Sequence, residues 1–311
     1  MKLPRSVFEA EARYARARRT RSKTYWSISV LEGLTLDALV PAARCRHPAL
    51  EAAQVHDVPA GYLADPFALQ RDGAHFLFFE IYDRARNKGL IGLARSDDGF
   101  AWRYERTVLE EPHHLSYPFV FEQDGAAWML PESCQAGEVR LYEADPFPRR
   151  WKRVATLLSG RAYVDPTLLS HEGWHYLFAG ESHKGVLHLF CAPRLHGPWR
   201  EHPASPLVRA DARHARPAGR FVSDGTGWIR LAQSTEPVYG AYVSAWRITR
   251  LGPDRYQEEP LDAYPILRGS GDGWNAFGMH HLDARRRHDG SWVAVADGLD
   301  LRRRWPGRAF P

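Results

Sequence analysis

Two carboxylates bracket the stretch "YLADPFALQRDGAHFLFFE", residues 62–80: Asp65 stands before a proline, and Glu80 ends the run that returns from the turn at Asp72-Gly73. Apolar runs on either side of Asp-Gly read as a hairpin, which brings its two ends to one rim. Carboxylates that converge on a rim can divide the labour of acid/base chemistry. One stays ionised as base or nucleophile, while burial and like charge keep another protonated as acid. Cleavage of a glycosidic bond uses such a pair, with the groups about 5 to 9 Å apart.

The stretch is repeated. "LSYPFVFEQDGAAWMLPE" (115–132), "YVDPTLLSHEGWHYLFAGE" (163–181), "ARPAGRFVSDGTGWIRLAQ" (215–233) and "GMHHLDARRRHDGSWVAVADG" (278–298) carry the same frame. Pro66, Pro118, Pro166 and Pro217 recur at a period of 48 to 52 residues, and in the fifth copy His281 takes the proline's place. That period is the size of a four-stranded propeller blade. Material for two outer strands follows each hairpin, as in "GLIGLARSDDGFAWRYERTVL". The fold class expected is therefore all-β: one five-bladed β-propeller with four-stranded antiparallel blades, over residues 25–300. "YWSISVLEG" (25–33) supplies a strand to close the last blade, which removes the exposed edge a ring would otherwise leave. Residues 1–24 form a basic extension with a short helix expected over 6–19, and 301–311 a basic tail.

In a propeller the first strand of each blade lines the channel, so the positions before the prolines meet at one mouth. Those positions are Asp65, Tyr117, Asp165, Arg216 and His280; the far ends of the second strands add Glu80, Glu132, Gly180 or Glu181, Gln233 and Asp297. A structural use exists for Asp-Pro and Glu at blade ends, namely satisfying neighbouring amides. Variation from Asp to Tyr, Arg and His within one repeated frame argues in addition for a site. Tyr62, Tyr117, Tyr163, Tyr239 and Trp274 are the aromatic side chains available near the rim for stacking on sugar rings. Arg216 suits a carboxylate or phosphate on a ligand, which a guanidinium grips with paired hydrogen bonds.

Other classes find little support. The formal charge of +5, from 42 basic and 37 acidic residues, is small for 311 residues and concentrates at the ends, so no nucleic-acid partner is expected. Cys45, Cys134 and Cys191 form no CxxC pair, which suits a reducing compartment, and no apolar run approaches a membrane span. A cytoplasmic location is the expectation. The doublets His113-His114 and His280-His281 point their side chains to opposite faces of a strand and are no chelating pairs in themselves. No metal and no cofactor are expected.

The motifs "ADPF", "LSYPFVFEQDG", "PES", "GEVRLYEA", "VDPTL", "RPAG", "LAQS", "YGAYV", "WRITRL" and "GMHHLD" resemble the N-terminal propeller of glucosamine inositolphosphorylceramide transferases and its bacterial stand-alone relatives. More broadly, Asp-Pro in blades one and three resembles the propeller superfamily of glycoside hydrolase families 43, 32 and 68. That resemblance implies that Asp65 matches the blade-one base or nucleophile and Asp165 the blade-three aspartate that modulates the acid. It also implies a glutamate acid later in the ring, where blade four offers Arg216 and Gln233 instead; Glu132 is the best substitute. The resulting expectation is a carbohydrate-active enzyme that cleaves or transfers a glycosyl unit of an anionic or phosphorylated sugar. Asp65, Asp165 and Glu132 are its catalytic candidates; Glu80, Tyr117, Arg216, Gln233, Tyr239, His280 and His281 are its substrate-binding candidates. Two alternatives stay open: a silent propeller that binds a glycan or glycolipid head group for a partner enzyme, or a ring reused for other acid/base chemistry.

Overall fold

A computed structural model describes residues 23–302 together with Tyr14. The helix expected over 6–19 lies outside the described residues apart from Tyr14, as does the tail beyond Arg302. The described chain forms five antiparallel sheets. Blade one consists of Ala60–Arg71, Ala74–Asp83, Lys88–Ser96 and Arg103–Leu109; blade two of Ser116–Gln123, Ala126–Glu132, Glu138–Ala144 and Trp151–Ser159. Blade three runs Tyr163–His171, Trp174–Glu181, Val186–Ala192 and Arg200–Glu201. Blade four is built on Arg216–Pro217, Trp228–Gln233, Tyr242–Gly252 and Arg255–Pro260, with the short strands Val222–Ser223 and Leu267–Arg268 beside them. Blade five joins the two ends of the described chain: Leu282–Arg286 and Trp292–Arg302 are continued by Lys23–Gly33 and Val40–Pro41. The closing pair is in register over its whole length, from Lys23 opposite Arg302 to Gly33 opposite Trp292.

Each blade is packed on both faces by its neighbours, so its central strands read as apolar runs rather than alternating ones. Phe78 and Leu93 of blade one and Leu130 and Leu141 of blade two share one such interface. Asp72-Gly73, Asp124-Gly125 and Glu172-Gly173 all have positive φ, which turns the inner hairpins with the twist of their strands.

The X-Pro step is where the inner strands depart from regularity. Register shifts lie between Ala64 and Phe67, Ser116 and Phe119, and Val164 and Thr167, so each inner strand bulges at its X-Pro pair. Asp65, Tyr117 and Asp165 sit there at φ of 53°, 45° and 52°, in the left-handed region that costs a residue with a side chain about 1–2 kcal/mol. Proline has no amide to lose from the ladder. The preceding residue does have one, and the bulge sends it elsewhere. Blade four breaks the rule, because Arg216 and Pro217 pair without a shift opposite Gln233 and Ala232. Its inner strand then opens at Gly219, whose φ is 133°. Among the described residues no helix is long and apolar enough to cross a membrane.

Gly219 and Gly125 separate close approach from turn geometry. A Cβ on Gly219 would stand 1.9 Å from the Leu282 carbonyl oxygen of blade five, whereas one on Gly125 meets nothing within 4 Å. Gly219→Ala is expected to cost roughly 3 kcal/mol and Gly125→Ala about 1 kcal/mol. Urea midpoints of the two variants against the parent chain check the difference.

Candidate functional site at the propeller mouth

The amides displaced by the bulges are taken up by carboxylates of the preceding blade. Tyr117 donates its backbone N–H to Asp65 Oδ2 at 3.2 Å, Asp165 to Glu132 Oε2 at 3.2 Å, and Asp65 to Asp297 Oδ2 at 3.0 Å. The rim acids thus stitch blade five to one, one to two, and two to three. Between blades three and four a side chain does the work: Arg216 Nε donates to Asp165 Oδ2 at 2.7 Å and its Nη2 reaches Glu132 Oε2 at 3.5 Å. Gln233 Nε2 adds a second side-chain donor to Asp165 at 3.0 Å.

Asp297 is the hub of the closing seam. It is wholly buried, and its Oδ1 accepts the backbone N–H groups of both His280 and His281 at 3.1 Å. The His280 ring lies between two carboxylates, with Nδ1 3.0 Å from Asp297 Oδ1 and Nε2 3.2 Å from Asp65 Oδ1. Nδ1 is off the hydrogen-bonding direction, so the attraction to Asp297 is one of charge. Burial alone would depress the imidazole, but Asp297 and Asp65 outweigh it and hold His280 at about 10. Burial likewise works to raise Asp65; His280 foremost, then His281 and Arg216, overcome that and lower it to about 2. Trp26 covers the His280 ring at 4.2 Å between centroids.

Glu80 and Glu132 are pushed the other way. Burial, then the charges of Asp65 and Glu132, raise Glu80 well above the carboxylate range. Burial and Asp165 raise Glu132 to about 8 against the opposing pull of Arg216. Tyr62 donates to Glu80 Oε1 at 3.3 Å, and His114 Nε2 lies 3.5 Å from the same oxygen. One rim therefore holds an ionised aspartate and two protonated glutamates.

The remaining candidates fall at different depths. Tyr239 is 43% exposed at the entrance, with the Arg216 guanidinium 5.4 Å from its ring centroid. Together with Glu181, Thr235 and Glu236 they line a cavity of about 410 Å³. Tyr117 points down the channel rather than to the entrance, its hydroxyl 2.7 Å from Thr167 Oγ1 and accepting the Gly219 N–H at 2.8 Å. His281 lies beside it, fully buried, its ring edge-on to Phe67 and Tyr117 and both nitrogens without a hydrogen bond. Burial lowers its pKa, so it is neutral. Tyr163 and Trp274 belong to hydrophobic clusters. The blade-three choice falls to Gly180, which lies opposite Val164 as Glu80 lies opposite Ala64, while Glu181 turns outward to Lys184 and His188. Asp297 stood in the sequence as one member of the ring, and its role as acceptor for two blades was not legible there. His114 gave only the doublet as a signal.

Asp65, His280 and Asp297 present three ligand atoms within 4.8 Å of one another and are the described group that could hold a metal ion. A protonated His280 between the two carboxylates already supplies the positive charge that such a group attracts.

Fold and rim together define a five-bladed propeller with a buried acid/base cluster at its mouth. Solved structures share the fold: a family 117 glycoside hydrolase of Zobellia galactanivorans (TM-score 0.54, 13% identity, 90% of this chain and 91% of that one) and the catalytic domain of a GH62 alpha-L-arabinofuranosidase of Coprinopsis cinerea (0.60, 11%, 79% and 95%). Residues 38–299 match the family model described as glucosamine inositolphosphorylceramide transferase 1, N-terminal, and the chain belongs to that family. Glucosamine inositolphosphorylceramide transferase 1 of Oryza sativa subsp. japonica is 34% identical over 250 residues, 77% of this chain and 33% of the relative; that of Arabidopsis thaliana is 32% identical over 251 residues, covering 78% and 32%. The chain thus spans about a third of the length of these relatives.

Removing His280 leaves Asp65 and Asp297 facing each other in a buried seam, so His280→Gln should cost on the order of 3–5 kcal/mol at pH 6. Its folded pKa of about 10 lies above the ordinary 6.5, so this contribution is complete below pH 6.5 and lost as pH rises through 10. Urea unfolding of both proteins at pH 6, 8 and 10 should show the gap narrowing; a constant gap contradicts a charged imidazole.

Proposed function

We propose that the mouth acts on the glycosyl unit of an anionic sugar substrate, with Asp65 as the ionised base or nucleophile and Glu132 as the acid. The observation that carries this reading is the convergence of Asp65, Glu80, Glu132 and Asp165 on one buried rim, where neighbouring charge lowers Asp65 and burial raises Glu132 and Glu80. Asp165, clamped by Arg216 and Gln233, sets the charge beside Glu132. Arg216 and Tyr239 face the entrance cavity and offer a guanidinium and an aromatic surface to an anionic sugar entering it. The relatives' name supports the same chemistry, since glucosamine is a glycosyl unit and inositolphosphorylceramide carries a phosphate.

A second reading draws on the same contacts. Arg216 pairs with Asp165 and reaches Glu132, and Asp65, Glu80, Glu132 and Asp165 are all buried. Such a mouth suits recognition of a glycan or glycolipid head group on behalf of a partner enzyme. Under that reading Arg216 and Tyr239 hold the ligand, while the acids hold the ring together.

Turnover of a phosphorylated or uronic sugar, followed against pH, separates the two. Catalysis predicts activity that falls above about pH 8 as Glu132 ionises, and a loss of roughly 10²- to 10⁴-fold in Glu132→Gln with that basic limb removed. Asp65→Asn should be inactive while still binding. Binding that depends on Arg216 with no turnover in any variant, across a panel of sugar phosphates, uronic acids and nucleotide sugars, supports the recognition module instead.

A further inference from the structure

A second cavity of about 550 Å³ lies between blades one and five, at the hairpin-turn end of the channel. Its walls include Gln70 and His75 beside the first inner turn, the Asp98–Trp102 turn, and Arg285 on the inner strand of blade five. A strand rise of 3.3 Å places Ala68, on the same wall, about 10 Å below Asp65. Between this cavity and the mouth, the rings of Phe67, Phe119, Tyr117 and His281 pack edge to face.

Every carboxylate on these walls is already committed. Asp283 accepts Arg220 Nε at 2.8 Å and the Ala68 N–H at 2.7 Å; Asp98 is folded into its own turn, accepting from Phe100 N and Ala101 N at 2.8 Å. Asp289 accepts from both the amide and the hydroxyl of Ser291. The flanking arginines are also engaged, Arg287 with Glu32 at 2.6 Å and Arg286 with the Asp224 carbonyl at 2.8 Å.

Arg285 is the exception. Among the described residues its one hydrogen bond runs from Nη2 to the Ala68 carbonyl, and no carboxylate lies within ion-pair distance. A guanidinium has five N–H donors, so most of this fork is unused. Burial first, and then the neighbouring Arg220, work against its charge. Trp102, more than nine-tenths buried on the same wall, has an indole N–H with no acceptor. A guanidinium that lines a cavity, keeps most of its donors free and is crowded by a second cation calls for an oxyanion.

We propose that this cavity binds the phosphate or carboxylate group of a small molecule through Arg285, as a site separate from the mouth. The fork of Arg285 grips the oxyanion, an added negative charge relieves its repulsion with Arg220, and Trp102 and Phe100 flank the ligand.

The test is titration with sodium phosphate and with sodium acetate at constant ionic strength, read by melting midpoint and by tryptophan emission. Phosphate, acetate or both should stabilise the parent chain and should still stabilise Arg216→Ala, and in that background the apparent Kd should rise roughly tenfold or more on adding Arg285→Lys or Arg285→Met. The anion-induced emission change should disappear in Trp102→Phe, which locates the ligand even if an arginine variant does not fold. Stabilisation by phosphate alone assigns a phosphate-bearing ligand, and by acetate alone a carboxylate-bearing one. No effect of either anion, an effect in Arg216→Ala that survives the addition of Arg285→Met, or an effect lost in Arg216→Ala alone overturns the proposal.

Discussion

The mouth depends on carboxylates that accept backbone amides from the next blade. A bulge at each X-Pro pair turns Asp65, Tyr117 and Asp165 into the left-handed region and takes their N–H groups out of the sheet. A buried amide left without an acceptor costs about 1–3 kcal/mol, and three of them meet on one small ring. Asp297, Asp65 and Glu132 answer one amide each. Asp65 and Glu132, the acids proposed to carry the chemistry, are therefore also latches between blades. For this reason substitutions to the isosteric amide, which keep an acceptor oxygen, separate function from folding better than substitutions to alanine.

Among the described residues the latch is absent from two of the five seams, and its loss between blades three and four shapes the site. In blade three the second strand presents Gly180 where blades one and two present glutamate. A Cβ there would stand 2.8 Å from Val164 Cγ2 and 3.4 Å from Arg216 Cγ. The missing side chain leaves room for the Arg216 stem, whose guanidinium then spans Asp165 and Glu132. Blade four pairs Arg216 without a bulge, so there is no displaced amide to satisfy. A guanidinium paired with two buried carboxyls replaces the amide stitch and brings positive charge to the entrance. Repetition of the stitch at three seams builds the ring, and its loss here gives the mouth a direction.

Most of this architecture was legible in the sequence because a repeat fixes positions. The spacing from proline to turn glycine gave the hairpins, and the hairpins gave the rim. Asp65, Glu80, Glu132, Asp165, Arg216, Gln233 and His280 are brought together as the frame implies. Depth was harder to read, since a shift of one residue moves a side chain to the other face of a strand. The frame could not choose between Gly180 and Glu181 for that reason. Tyr117 and His280 share a slot, yet one runs down the channel and the other stays between two carboxylates. Asp297 differs from Glu80 and Glu132 by a methylene, and its shorter reach onto the amides of two blades follows from where the ring closes. Tyr163 and Trp274 had the composition of stacking platforms, but packing between blades claimed them.

The channel is not a passage. Phe67, Phe119, Tyr117 and His281 fill its middle, with the Arg220 guanidinium 5.8 Å and 5.2 Å from the centroids of the two phenylalanine rings. Above this layer the rim gathers Asp65, Glu80, Glu132, Asp165 and Asp297 against Arg216 and His280; below it Arg220 pairs with Asp283 and Arg285 stands beside that pair. The neutral His281 fits such a partition, since a charged ring amid phenyl faces would lack the hydrogen bonds that make a buried charge tolerable. An aromatic layer of this kind keeps the acidic and basic ends from neutralising one another across the channel. It also separates the two proposed sites, so that a ligand at one end would not have to pass the other.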